Sequence, residues 1–375
     1  MSVDNNTETD SPAKVSVGRP RRSRAETLTL IRQVWPWTFL ALLVIAFTIS
    51  SKTMNNVDFI SIRSVQGILE YATQILLIAL GETLIIIAAG IDLSVGWTLG
   101  FSSVIAAQVM RDQYAAGSSP VVVILLGIFA GLIVSLLPGL FNGLLIARVK
   151  VPPFISTLGV GGLFEGIALL RSQGYPIASQ PPYLGPLGNN SLIYLWPGHA
   201  PSFLQMPAAA TNTDMVHITA LIPNDVFITF LVTLVIWFIL AKTQFGQHIY
   251  AIGGNLEAAT RAGIPVKGTL IKVYVLAAFL AGIAGVIWTA RFTSGAYNAG
   301  ETTTLTAIAA VFIGGASMFG GEGKILGTIV GALIIATIIY GLVLLGISPF
   351  WQYVAVGIVV ILAVVMDQFG RTLGK

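Results

Sequence analysis

The chain has no cysteine, which excludes disulfides, thiolate metal sites and cysteine nucleophiles together. Histidine is almost as scarce: His199, His217 and His248 stand apart, with none of the HExxH-type spacing that holds a catalytic metal. No GxSxG nucleophile elbow occurs. Charge is the third shortage. Only 10% of the 375 residues are Asp, Glu, Lys or Arg, whereas a soluble domain carries about 25%. The run Gly320-Gly321-Glu322-Gly323-Lys324-Ile325 superficially evokes a phosphate-binding loop. However, Met318 stands where its first glycine belongs, and Ile325 replaces the hydroxyl residue that would hold magnesium. ATP is therefore not bound by this motif, and any ATP-driven step belongs to another polypeptide.

What the chain has instead is apolar length. Hydrophobic residues make up 55% of it and the mean hydropathy is +0.84, so the reading is an all-α, polytopic membrane protein. The net charge of +4 does not indicate a nucleic-acid partner, because the basic residues gather at the ends of apolar runs, where orientation in the bilayer explains them. A crossing helix needs roughly 20 apolar residues, and that template selects about ten segments: 34–50, 61–89, 96–110, 121–147, 153–170, 225–241, 270–290, 303–319, 325–346 and 350–366. The second is long enough to kink, and the third and eighth read as partial or broken spans. Residues 1–32 read as a disordered basic cytoplasmic tail, 33–371 as the transmembrane domain and 372–375 as a C-terminal tail. The run from Val34 to Ser50 reads as a retained first helix, because its basic flank is long and no small-x-small cleavage site follows.

With the N-terminus inside, ten spans return the C-terminus inside as well. This places 15 of the 20 Lys and Arg residues in the cytoplasm and leaves Lys52, Arg63, Arg111, Arg171 and Arg291 outside, the asymmetry expected of a protein in the bacterial inner membrane. The same parity makes Lys242–Lys272 a cytoplasmic loop. Connections between packed helices usually run about 2–8 residues, so a charged stretch this long is there to be touched. The other long connection, 172–224, falls outside. It holds eight prolines and no Lys or Arg, and it reads as a Pro-rich loop, either poorly ordered or a docking face. Glycine pairs at Gly127/Gly131, Gly139/Gly143, Gly162/Gly166 and Gly327/Gly331 suit close helix approach within a bundle or between copies.

Polar residues in so apolar a chain are the candidates for function. Gly90-Ile91-Asp92-Leu93-Ser94-Val95-Gly96 lies between two apolar runs and has the composition of a helix break. Glycine admits non-helical backbone, and Asp92 or Ser94 can cap the helix that follows. Such breaks are tolerated where they are buried in protein or line a cavity, so Gly90, Asp92, Ser94 and Gly96 are candidates for a cap or for substrate contact. Glu82 and Glu165, inside spans, are candidates for a pore-facing role. Arg171 and Arg291 read as boundary anchors that snorkel to the interface. No metal site and no catalytic group are indicated.

Four runs resemble the permease subunit of ribose-type ABC sugar importers, the family serving ribose, xylose, arabinose, galactose and autoinducer-2-like substrates. They are Thr83–Gly96 (TLIIIAAGIDLSVG), Phe141–Gly159 (FNGLLIARVKVPPFISTLG, which contains Asn142), Phe245–Gly263 (FGQHIYAIGGNLEAATRAG) and Ala307–Gly331 (AIAAVFIGGASMFGGEGKILGTIVG). The resemblance implies a permease for a monosaccharide or related small polyol. It further implies a second permease copy or close homologue, a cytoplasmic ABC ATPase that carries ATP and magnesium, and a periplasmic or surface sugar-binding protein. It also implies that Glu257, Ala258, Ala259 and Gly263, with Arg261 as a polar contact, form a coupling helix seated in the ATPase. Relatives often carry Gly-Tyr-Glu-Leu-Asp where this chain has Thr302-Thr303-Thr304-Leu305-Thr306, and Glu82 and Glu165 are further departures. These changes bear on which sugar is carried and leave the permease reading intact. The competing readings are an ion-coupled secondary transporter working through Asp92 or Glu82 and, with less support, a membrane-embedded enzyme.

Overall fold

The computed structural model describes residues 24–207, 210, 214, 217–358 and 361. The basic tail expected over 1–32 lies outside the described residues as far as 23, and the tail at 372–375 lies outside them entirely. Helix α1 (Arg24–Asn55) leads into α2 (Ile62–Ile87), α3 (Val95–Ala115), α4 (Pro120–Leu144) and α5 (Pro153–Ser172). An outer insertion holds α6 (Leu184–Asn189), β1 (Ser191–Leu195), β2 (Ser202–Phe203) and β3 (Thr219–Pro223). Then follow α7 (Asn224–Lys242), α8 (Gln244–Gly254), α9 (Leu256–Arg261), α10 (Val266–Phe292), α11 (Thr303–Ile313) and α12 (Ile325–Leu344), and the backbone is helical again at 349–358.

Seven described helices are long and apolar enough to cross a membrane. The expected third and eighth spans fall short of that standard in different ways. Helix α3 has the length but carries hydroxyls and charges, and α11 has only 11 residues. The bundle is therefore polytopic and helical, as expected. The outer insertion is the exception: its strands form a small antiparallel sheet in the order β2-β1-β3, with Ile193 opposite both Phe203 and Leu221. The expected Pro-rich loop thus has a folded part, fastened to the bundle. Asn189 Nδ2 donates to the Arg291 carbonyl at 2.9 Å, and Ile177 and Gly295 exchange main-chain bonds at 2.7 and 3.1 Å.

Helix α2 is the centre of the bundle, and 78% of its most apolar window is buried, against 11% for α1 at the periphery. It packs on α7, α10, α11 and α12. Among apolar helices in lipid, contact energy depends on how closely backbones approach, and glycine sets that distance along the antiparallel α4/α10 seam. A Cβ on Gly139 would stand 2.5 Å from the Tyr274 carbonyl oxygen, and one on Gly143 would stand 2.8 Å from the Ile271 Cα. Gly127 and Gly131 pack on Met110, Ala106 and Ser102 of α3, while Gly327 and Gly331 pack on Gly314 and Ala310. Three of the four glycine pairs are thus spent inside the chain. Gly162 and Gly166, with Gly159, have no described atom near enough to crowd a Cβ.

Helix α4 ends in a π-helical turn, Leu145–Val149, closed by Lys150 in the left-handed region (φ 65°). Pro153 then opens α5, where a missing N–H costs nothing. Inserting a large side chain into a packed seam costs about 1–3 kcal/mol. Gly139→Leu is expected to destabilise the detergent-solubilised protein by that order, read as a lower unfolding midpoint, whereas Gly162→Leu, on the open face, should leave the midpoint nearly unchanged.

Candidate functional site

After Ile87 the chain leaves the helix. Ala89 adopts a left-handed conformation (φ 62°), and the backbone runs irregularly to Val95. Side chains take up part of what the helix no longer provides. Asp92 is fully buried, and its Oδ1 accepts the Ser94 N–H at 2.8 Å and the Ser94 hydroxyl at 2.6 Å. Asn142 Nδ2 donates to Ser94 Oγ at 2.8 Å, and Ser156 Oγ donates to Asn142 Oδ1 at 3.2 Å. The break is thereby tied to α4 and α5. Ser94 occupies the cap position of α3 but makes no side-chain cap bond, so Asp92 anchors the residue in front of the helix. Glu82, on α2, is also fully buried, and its Oε2 faces the Asp92 N–H at 3.5 Å.

A second irregular stretch, 294–302, runs back along α3 from the end of α10. Each of Gly96 and Gly300 lies against the other's backbone, too close for either to carry a Cβ, and the Gly96 N–H donates to Thr304 Oγ1 at 3.0 Å. Two breaks therefore cross at a pair of glycines. On the same side, Gly161 of α5 packs on the Trp97 ring. Glu165 lies one turn further along, about 18 Å from the start of α5 at roughly 1.5 Å per residue, half exposed and without an ion-pair partner among the described residues. Glu301, beside Gly300, is exposed as well. A carboxylate midway along an apolar helix is costly against hydrocarbon, which favours water or another protein surface beside the open glycine face of α5.

The coupling candidates form a separate unit at the C-terminal end of α2, beside the break. Thr243 caps α8 by accepting the Gly246 N–H at 3.3 Å, and Asn255 Oδ1 caps α9 by accepting the Ala258 N–H at 2.9 Å. Gly263, at φ 78°, ends the unit ahead of Pro265. Glu257 and Arg261 pair at 2.6 Å with their side chains about three-quarters exposed (75% and 78%). Ala258 and Gly263 are exposed too, while Ala259 points inward at 4% exposure. Of the five coupling residues, four form an outer surface and Ala259 anchors it. The sequence reading missed Leu256, an apolar side chain left 55% exposed on that surface.

The end of α8 is wedged into the bundle. Gly253 lies directly against the Ile87 carbonyl, which itself accepts the Gly321 N–H at 2.8 Å. The Tyr250 hydroxyl donates to the Gly323 carbonyl at 2.6 Å, and a Cβ on Gly320 would meet that of Ala89 at 2.7 Å. The glycine run that evoked a phosphate loop is thus a packing wedge between α8 and the residues that begin the break.

At the opposite end, Arg291 does not snorkel as a free anchor. It bonds Glu70 Oε2 at 2.8 Å and Asp225 Oδ2 at 3.1 Å, joining α10, α2 and α7. Arg171 donates to Gln108 at 3.0 Å. Beside the Arg291 clamp is a cavity lined by Ile128, Leu132, Leu187, Val286 and Ile287, with Asp225 as its ionisable side chain; it lacks the hydroxyls and amides that recognise a sugar. Trp97, Glu301 and Leu256 were missed because their significance lies in what stands beside them in space. The one signal available in the sequence was the position of Glu301 beside Gly300.

Residues 64–364 match the family model described as branched-chain amino acid transport system / permease component. The ribose import permease protein of Bacillus subtilis (strain 168) is 38% identical over 330 residues, covering 88% of this chain and 91% of that protein. The fructose import permease protein of Rhizobium meliloti is 33% identical, covering 90% of this chain and 85% of that protein. The D-allose transport system permease protein of Escherichia coli (strain K12) is 33% identical, covering 88% and 90%. No solved structure matches.

Replacing an N-cap Asn with Ala costs about 0.5–2 kcal/mol. Asn255→Ala is expected to speed amide hydrogen exchange across 256–261 without altering exchange in α10, as peptide-resolved mass spectrometry would read.

Proposed function

Since the chain belongs to the branched-chain amino acid transport system / permease component family, we infer that it is the membrane permease subunit of an ATP-driven importer of a monosaccharide or related small polyol. The sugars named for its relatives support that substrate class. In this reading the chain crosses the bacterial inner membrane about ten times with both termini in the cytoplasm: the seven long apolar helices, α3, the 294–302 break with α11, and the last helix each make one pass. The end carrying α8 and α9 faces the cytoplasm, consistent with the basic residues gathered there.

The observation that carries the proposal is the exposed surface of α9, joined through α8 to the break after α2. A cytoplasmic ABC ATPase, which binds ATP and magnesium, holds Leu256, Glu257, Ala258, Arg261 and Gly263. Its closing moves α8, and because Gly253 and the 317–323 wedge leave no slack around the Ile87 carbonyl, that movement reaches Ala89 and the Asp92–Ser94–Asn142 chain. The shift changes which side of the membrane the pathway faces. The pathway runs along the open face of α5, between this chain and a second copy or close homologue. Trp97 offers an aromatic surface there, and Glu165 and Glu301 accept hydrogen bonds from sugar hydroxyls. A periplasmic or surface sugar-binding protein delivers substrate to the outer end, near the three-stranded sheet.

Glu257→Arg breaks the exposed pair and reverses the charge of α9. Normal membrane insertion is expected, with loss of ATPase copurification and of uptake. Wild-type ATPase coupling in this variant would refute the proposal, and uptake that persisted in ATP-depleted vesicles under an ion gradient would point to a secondary transporter. For the pathway, Glu165→Gln with Glu301→Gln should lower sugar uptake at least several-fold while ATPase association stays intact.

A further inference from the structure

One cluster at the break has a property that the coupling does not use. Glu82, Asp92 and Tyr274 come from α2, the break and α10, and their exposures are 0%, 0% and 1%. Each carries an oxygen without a hydrogen-bond partner: Glu82 Oε1, Asp92 Oδ2 and the Tyr274 hydroxyl. They occupy one place. The Asp92 N–H faces Glu82 Oε2 at 3.5 Å, and a Cβ on Gly90, two residues before Asp92, would stand 2.7 Å from the Tyr274 hydroxyl. The surroundings are apolar, with Leu80, Leu84, Ile85 and Ala277 in the same core cluster as Tyr274.

Two carboxyl groups in such surroundings are stable only where each is protonated or balanced by positive charge, so one protonated carboxyl and one ionised carboxyl beside a monovalent cation satisfies both. No Lys or Arg pairs with either among the described residues; Arg291 is already held by Glu70 and Asp225. A proton shared between the carboxyls would draw their oxygens to about 2.5–2.7 Å. No side-chain hydrogen bond among the described residues links Glu82 Oε1, Asp92 Oδ2 and the Tyr274 hydroxyl to one another. The unwound main chain adds donors of the same kind: the carbonyls of Ala89, Gly90 and Ile91 accept no bond from any described N–H. An all-oxygen donor set at an unwound helix suits a hard cation. Magnesium, which keeps several of its waters, does not suit so closed a site.

We propose that Glu82, Asp92 and Tyr274, together with the unwound main chain at residues 89–91, form a binding site for a sodium-sized monovalent cation that fixes the conformation of the helix break. The site shares Ala89 and Asp92 with the proposed coupling route but is read out by ion binding alone, so it can fail without the transport reading failing.

The test uses the full chain in lipid nanodiscs at pH 7 and constant ionic strength. Thermal unfolding is followed while choline chloride is replaced by sodium, lithium, potassium or calcium chloride, and retention of radioactive sodium is measured in parallel. A ligand that binds only the folded state at 100 times its dissociation constant raises the folded-to-unfolded ratio about 100-fold. Sodium is therefore expected to raise the unfolding midpoint saturably by several degrees, and potassium much less. Glu82→Gln and Glu82→Met should abolish both the shift and the retention of sodium. The proposal is overturned if sodium and choline give the same midpoint with no sodium retained, if calcium alone stabilises, or if acidification in choline stabilises the protein while sodium does nothing, which would mean that protons neutralise the pair. If the variants fail to insert, the wild-type titration and sodium retention decide alone.

Discussion

A main chain that unwinds inside a packed helical bundle leaves peptide groups with no water to bond, and the architecture of this protein follows from how that problem is met between Ile87 and Val95. Asp92, Ser94, Asn142 and Ser156 form a relay of hydrogen bonds from the break into α4 and α5. Gly96 and Gly300 let a second unwound stretch lie against the first turn of α3, where Thr304 takes the Gly96 N–H. Both solutions need tight contacts, which is why glycine lines the seams around the break and why α2, the most buried span, sits at the centre. Polar groups and glycines together allow an irregular backbone to exist in a solvent that rejects it.

This dependence links the two parts of the molecule that matter for transport. The break begins one residue beyond the carbonyl against which α8 is wedged, so the exposed surface of α9 and the buried carboxyls are neighbours along a short stretch of packed backbone. Contacts of this kind transmit displacement because packed interiors are close to incompressible.

Much of the architecture was legible in the sequence because it follows from hydropathy and from punctuation. Expected spans such as 61–89, 153–170 and 325–346 agree with α2, α5 and α12 to within two residues at either end. The punctuation of the coupling unit, Asn255 at one end and Gly263-Ile264-Pro265 at the other, works locally and was readable for that reason. Other features were not readable because they depend on contacts between distant segments. Arg291 looked like a free anchor because Glu70 and Asp225 are far from it along the chain. The sheet was hidden because Ser191–Leu195 and Thr219–Pro223 are short and lie among prolines, and only pairing makes them strands. Ala259 looked like part of a contact surface because a small residue in a short helix does not reveal which way it points.

The clamp formed by Arg291, Glu70 and Asp225 gathers α2, α7 and α10 at one end of the bundle, while at the other end the same helices are held by close packing around glycines. An ion pair resists separation but tolerates rotation about its long side chains, whereas glycine contacts resist any sideways shift. Displacement applied at the glycine end would therefore be geared about the charged end, as a lever turns on its pivot. The three helices would tilt as one body, with α3 carried along by the close contact of Gly285 on Leu99.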